Sequence, residues 1–182
     1  VDDPDPDGQP SAIRTYVECL RRTPADATHR IVLQDDVELV AGFDERAQAA
    51  LAEHPSSLVA FFVPGMGLVG RWVREAAKAG KRWCQLPSSM NWTPVVALSW
   101  PRELAQEFVP FAEAHVAARA RRRVGTVGDD PVVGAFVRAH KLPVWATVPC
   151  LVQHPDLVPS LVKRRSYGGT NPARRAAVFV DD

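Results

Sequence analysis

A chain of 182 residues with 46% apolar, 8% aromatic and 24% charged side chains has the size and composition of one globular domain. That excludes disorder along its whole length and any need for a disulfide scaffold. Its 22 Lys and Arg against 21 Asp and Glu leave a net charge of +1, too small to mark a nucleic-acid or membrane-surface protein by charge alone. Cys19, Cys84 and Cys150 form an odd set without CxxC spacing, each in an apolar setting, and are read as reduced thiols in a cytoplasmic protein. The longest apolar runs, 58–63 and 94–100, fall far short of the ~20 residues that span a bilayer, and the acidic start is not a signal peptide. A start on Val before an Asp/Pro run, with no initiator Met, is read as the loss of some natural N-terminal sequence, a first strand included.

In chain order, Asp2, Asp3, Asp5 and Asp7, broken by Pro4, Pro6, Gly8 and Pro10, predict a loop. Ser11 then caps a helix whose Ile13, Tyr16, Val17 and Leu20 recur at helical spacing until Pro24 forces a stop. Residues 29–34 follow as a strand. Its continuous run Ile31, Val32, Leu33 is expected of a strand covered on both faces of an α/β sheet. A helix over 43–54, a buried strand over 58–63, a helix over 68–79 ending at Gly80, and a short strand over 83–86 continue the alternation. Residues 93–99 are a β-rich run, and Pro101 is placed in the first turn of a helix reaching about residue 118. Residues 119–128 form a basic, glycine-punctuated loop; a helix starts near Pro131 and runs to His140; residues 144–148 are the last strand. The expected architecture is one Rossmann-like α/β domain over 1–162, with a mostly parallel sheet and helices on both faces. Residues 163–182 are a basic, flexible segment.

Three constellations carry chemistry. In HRIVLQDDV a strand ends in the adjacent carboxylates Asp35 and Asp36, whose mutual repulsion a divalent cation would offset, Mg²⁺ and Mn²⁺ being suited to oxygen ligands; the alternative is a solvated turn or cap. In GDDPVV, Asp129 and Asp130 stand at a helix start, where one serves as a cap and the other is free to act as a general base. In PCLVQHPDLVPSLV, His154 sits in a proline-bounded loop, as a surface residue or, if the loop folds back over the strand ends, beside the Asp35/Asp36 pair. The arginines at 119, 121–123, 164, 165, 174 and 175, with Lys163, are solvated loop charge or phosphate contacts. Trp100 reads as core, and Trp92 as core or part of an acceptor platform. HExxH, P-loop, GxSxG and GxGxxG patterns are absent.

In this order, a strand ending QDDV, a DD at a helix start and a final HPDLVPS loop resemble a small glycosyltransferase of the GT-A type, IVLQDDVEL being similar to the EDDV version of that fold's DxD motif. The resemblance covers residues 10–162 and implies metal-dependent transfer of a sugar from a nucleotide-diphosphate donor to an acceptor hydroxyl, with inversion. It implies Asp36 and His154 as ligands of Mn²⁺ or Mg²⁺, and Asp35 at the centre of the motif, with Gln34 where the family often has an acid. It further implies Asp130, or failing it Asp129, as the catalytic base, and Ser11 and Arg14 along the nucleotide pocket. A nucleotidyltransferase of similar fold, and a non-catalytic binding domain that has lost the donor site, are the alternatives. The acceptor is open: a glycan, a small molecule, a protein or a modified DNA base.

Overall fold

The computed structural model describes residues 1–2, 4–5, 11–90, 94–121, 128–154 and 175–180. The described residues form five helices and two sheets. Helix α1 (Ala12–Arg21) begins where the sequence places it: the Ser11 hydroxyl accepts from the Arg14 amide, and Ile13, Tyr16, Val17 and Leu20 are its buried stripe. Strand β1 (His29–Leu33), strand β2 (Glu38–Leu39) and helix α2 (Phe43–Glu53) follow. Strand β3 (Leu58–Ala60), helix α3 (Gly67–Lys78) and strand β4 (Trp83–Leu86) come next. Strand β5 (Ala97–Pro101) leads into helices α4 (Arg102–Arg121) and α5 (Asp129–His140), and strands β6 (Val144–Thr147) and β7 (Val152–Gln153) complete the set.

The main sheet has the order β1-β5-β3-β6-β4, and only β3 and β6 run parallel; the other neighbouring pairs are antiparallel. The mostly parallel, Rossmann-like sheet expected from the sequence is therefore corrected to a mixed sheet that is largely antiparallel. The cue misled because all five residues of β5 are buried, so an antiparallel strand covered on both faces reads as the same unbroken apolar run as a parallel one. A second correction concerns β1. It is an edge strand, with Leu33 37% exposed, rather than one covered on both faces. Pro101 ends β5 opposite His29 instead of opening α4.

Helices do cover both faces. On one, α1, α3, α4 and α5 pack against Leu58, Leu98, Trp100 and Val144; on the other, Phe43, Ala47 and Ala50 of α2 meet Val59, Ala97 and Val152. Trp100 is fully buried and donates its indole N–H to the Tyr16 hydroxyl at 2.7 Å, tying the sheet to α1 through an aromatic cluster with Phe108 and Phe136. Among the described residues no helix is long and apolar enough to cross a membrane, and the three cysteines are free thiols.

Strand directions decide where function is placed. Strands β1, β3 and β6 point the same way, so their carboxyl ends and the amino end of β5 share one end of the sheet. Of the basic segment 163–182, residues 175–180 are described and lie at this end. Gly65 donates to the Arg175 carbonyl, Ala177 to that of Val63, and Cys150 to that of Val178.

Helix α3 lies so close to the turn after β3 that an alanine Cβ at Gly70 would stand 2.5 Å from the Pro64 carbonyl oxygen and 2.7 Å from the Gly65 carbonyl carbon. Gly70→Ala must push backbone from backbone. The expected result is a loss of about 1–3 kcal/mol in urea unfolding despite alanine's better helix propensity.

Candidate functional site

The site is built where β1 stops. The Gln34 amide donates to the Val96 carbonyl at 2.9 Å, prolonging the β1–β5 ladder by one bond; the chain then turns, leaving Asp35 exposed and the Asp36 side chain 20% exposed. Beyond the turn β2 pairs with β7 antiparallel, Glu38 opposite Gln153 and Leu39 opposite Val152. Extending that register by one residue sets His154 beside Val37, next to Asp36. The side chains meet: His154 Nε2 lies 3.2 Å from Asp36 Oδ2, with the imidazole 3% exposed.

Three features fix the histidine. Leu151 and Val152 donate to the Phe61 carbonyl, anchoring β7 to the end of β3. The Gln153 side-chain oxygen accepts from the His154 amide at 3.1 Å and the Ala176 amide at 2.7 Å, joining the loop to the returning segment 175–180. Phe62 packs with its ring centroid 6.3 Å from the imidazole. Gln153 went unrecognised in the sequence; its only signal was its place immediately before His154.

Asp129 and Asp130 occupy the first turn of α5, after Gly128 as N-cap, so neither carboxylate is the N-cap itself. Asp129 Oδ1 accepts from the Asp130 amide at 3.0 Å, a local capping bond. The Asp130 carboxyl lies near the Val95 backbone. Val95 adjoins Val96, the residue bonded to Gln34, so Asp130 and Asp36 belong to the same end of the sheet. Asp130 is exposed as a residue, yet protein atoms crowd its carboxyl; desolvation first, and the neighbouring Asp129 second, raise its pKa to about 7 against the opposing influence of the Val95 backbone. Asp129 is raised as well, mainly by desolvation. The two charges in turn reinforce burial in holding the Tyr16 phenol well above its usual value.

Ser11 and Arg14 are not joined to this centre. Ser11 is spent as the cap of α1, and the Arg14 guanidinium holds the Asp5 carbonyl at 2.9 Å and its carboxylate at 3.4 Å. Both line a cavity of about 320 Å³ between α1 and α4. Trp92, Arg122, Arg123, Lys163, Arg164, Arg165 and Arg174 lie outside the described residues, as do the side chains of Arg119 and Arg121; Arg175 is exposed.

Among the described residues no group of three or more His, Cys, Asp or Glu side chains converges, and the donors they offer a cation here are the Asp36 carboxylate and the His154 imidazole. That set fits an ion completing its shell with phosphate oxygens and water, as Mg²⁺ does with one or two carboxylates; the imidazole makes Mn²⁺ the better match. What the arrangement offers is an imidazole–carboxylate pair and, at the same sheet end, a separate carboxylate able to take a proton near neutral pH. No family model, curated protein or solved structure matches the chain.

Proposed function

We propose that this chain is a glycosyltransferase, moving a sugar from a nucleotide-diphosphate donor to an acceptor hydroxyl with inversion. The observation that carries the reading is the meeting of Asp36 and His154, two residues far apart in sequence that pair at 3.2 Å at the carboxyl end of β1. Asp36 and His154 would hold Mn²⁺ or Mg²⁺, which when bound would supply positive charge to the departing diphosphate. Asp35, exposed at the turn, adds to the negative field that draws the cation in.

Asp130 takes the proton. As the acceptor oxygen attacks the anomeric carbon, the bond from that carbon to the β-phosphate oxygen breaks, the nucleoside diphosphate leaves with the electron pair, and the hydroxyl proton passes to an Asp130 carboxylate oxygen. Attack opposite the leaving group inverts the anomeric centre. Of the two loops expected to close over the donor, the glycine-bearing turn 65–68 is described and 163–169 lies outside the described residues. Three free thiols accord with a reducing compartment such as the cytoplasm.

The test is thermal unfolding of the intact chain with uridine, guanosine, cytidine and thymidine diphosphates and their sugar conjugates, each with Mn²⁺, Mg²⁺ or EDTA. A ligand that binds the native state raises the melting temperature. The expected result is a rise with one nucleotide that EDTA removes, and release of nucleoside diphosphate on adding acceptor. Release of pyrophosphate would assign nucleotidyl transfer instead, and no shift with any donor would leave a binding domain without donor chemistry.

A further inference from the structure

Strand β4 is the last strand of the main sheet, and among the described residues nothing pairs with its outer edge. The Val148 amide donates to the Arg82 carbonyl at 3.0 Å, and Cys84 stands opposite Ala146. Antiparallel alternation then assigns the ladder bonds to Arg82, Cys84 and Leu86, and turns the N–H and C=O of Trp83 and Gln85 away from β6. This edge is recessed. A cavity of about 600 Å³ runs beside it, walled by Trp72 and Ala76 of α3 on one side and by Trp83 and Trp145 on the other. It continues into a second of about 430 Å³, bordered by Ser88, Ser89 and Lys141, with Gln85 and Pro87 common to both. The aromatic wall is rigid: Trp83 donates its indole N–H to Glu53 at 2.9 Å, and His54 packs edge-on to Trp83 and stacks on Trp145 at 4.5 Å.

We propose that this groove binds an extended peptide segment of a partner protein, which adds a strand to β4 and carries acidic residues at its ends. Three observations select that occupant. The unpaired main-chain groups recur at every second residue, the repeat an extended polypeptide satisfies in register and a saccharide does not. The walls lie on opposite faces of the edge, so alternate side chains of an added strand enter apolar surroundings on each. Lys81 and Lys141 border the two ends of the groove, whereas the carboxylate in its lining, Glu75, is already paired with Lys78 at 3.0 Å. The inference does not depend on the transfer chemistry proposed above.

The experiment selects peptides from a displayed library of random linear sequences against the full chain, with Gln85→Pro as counter-target, and titrates the synthesised winners by tryptophan fluorescence. Proline at 85 removes only an amide directed off the sheet, so β4 keeps its ladder to β6. The expected winners alternate apolar residues between acidic ends, and bind Gln85→Pro about tenfold or more weakly. The same peptides, N-methylated on the amides that face β4, lose binding to the unaltered chain, a control independent of any effect on folding. The proposal is overturned by four results: no winner that prefers the unaltered chain, full binding of the N-methylated peptides, chitohexaose competing for the groove, or a dimer in sedimentation equilibrium that Gln85→Pro dissociates.

Discussion

Asp36→Asn is expected to lower metal-dependent donor turnover by about 10³-fold, corresponding to about 4 kcal/mol of lost charge stabilisation, while leaving the protein folded. The amide keeps an oxygen at the position that faces His154 Nε2 at 3.2 Å, so the hydrogen bond holding the imidazole survives and only the charge is removed. Asp36→Ala differs. It takes one partner from a histidine whose side chain is 3% exposed, and is expected to cost about 1–3 kcal/mol of stability in addition to the activity. The two variants separate a cation-holding role from a structural one. Equal turnover in Asp36→Asn and the unaltered chain, measured as nucleoside diphosphate released, would remove Asp36 from the chemistry and leave the pair as a device that docks β7.

The elements that were legible in the sequence are those whose cause is local. The Ser11 cap and the spacing of Ile13, Tyr16, Val17 and Leu20 give α1 to within a residue, and β4 appears at its predicted bounds. Gly80, at φ +65°, ends the α3 helix where a left-handed residue is required. Strand direction has no local cause. Burial on both faces makes β5 apolar throughout, and nothing in ALSWP says which way it runs. The edge position of β1 was equally hidden, because HRIVL has the composition of an interior strand although Leu33 is partly exposed.

For the site, residue types were legible and their assembly was not. Two carboxylates at a strand end and a histidine in a later loop were visible, but they meet because two-residue strands, β2 and β7, set the register between them. Pairings that short are stable only with tertiary support, here the Phe61 carbonyl and the Gln153 side chain, so no propensity announces them. Arg14 shows the converse. A guanidinium at a helix start was a reasonable phosphate contact, yet in the folded chain it holds Asp5.

Asp130→Asn should oppose activity to stability. A general base contributes about 10²–10⁴-fold, so turnover is expected to fall by that factor, and the rise of kcat/KM with pH toward about 7 that an ionising Asp130 imposes should disappear with it. Stability moves the other way. Because the folded carboxyl holds its proton to about pH 7, whereas its ordinary value is 3.8, the native state binds more protons than the unfolded chain between those limits. Stability therefore declines as pH rises through that window, and above it the native state bears the full cost of a crowded charge beside Asp129. Asparagine removes the charge and keeps the shape of the side chain. Asp130→Asn is accordingly expected to melt at a higher temperature than the unaltered chain at pH 8, with the difference closing toward pH 4. A variant both inactive and less stable at pH 8 would mean that the carboxylate holds α5 against β5; one that is more stable and fully active would show a crowded charge with no part in proton transfer. Loss of activity with gain of stability at high pH is the signature of a base kept at a site where the fold alone favours a neutral group.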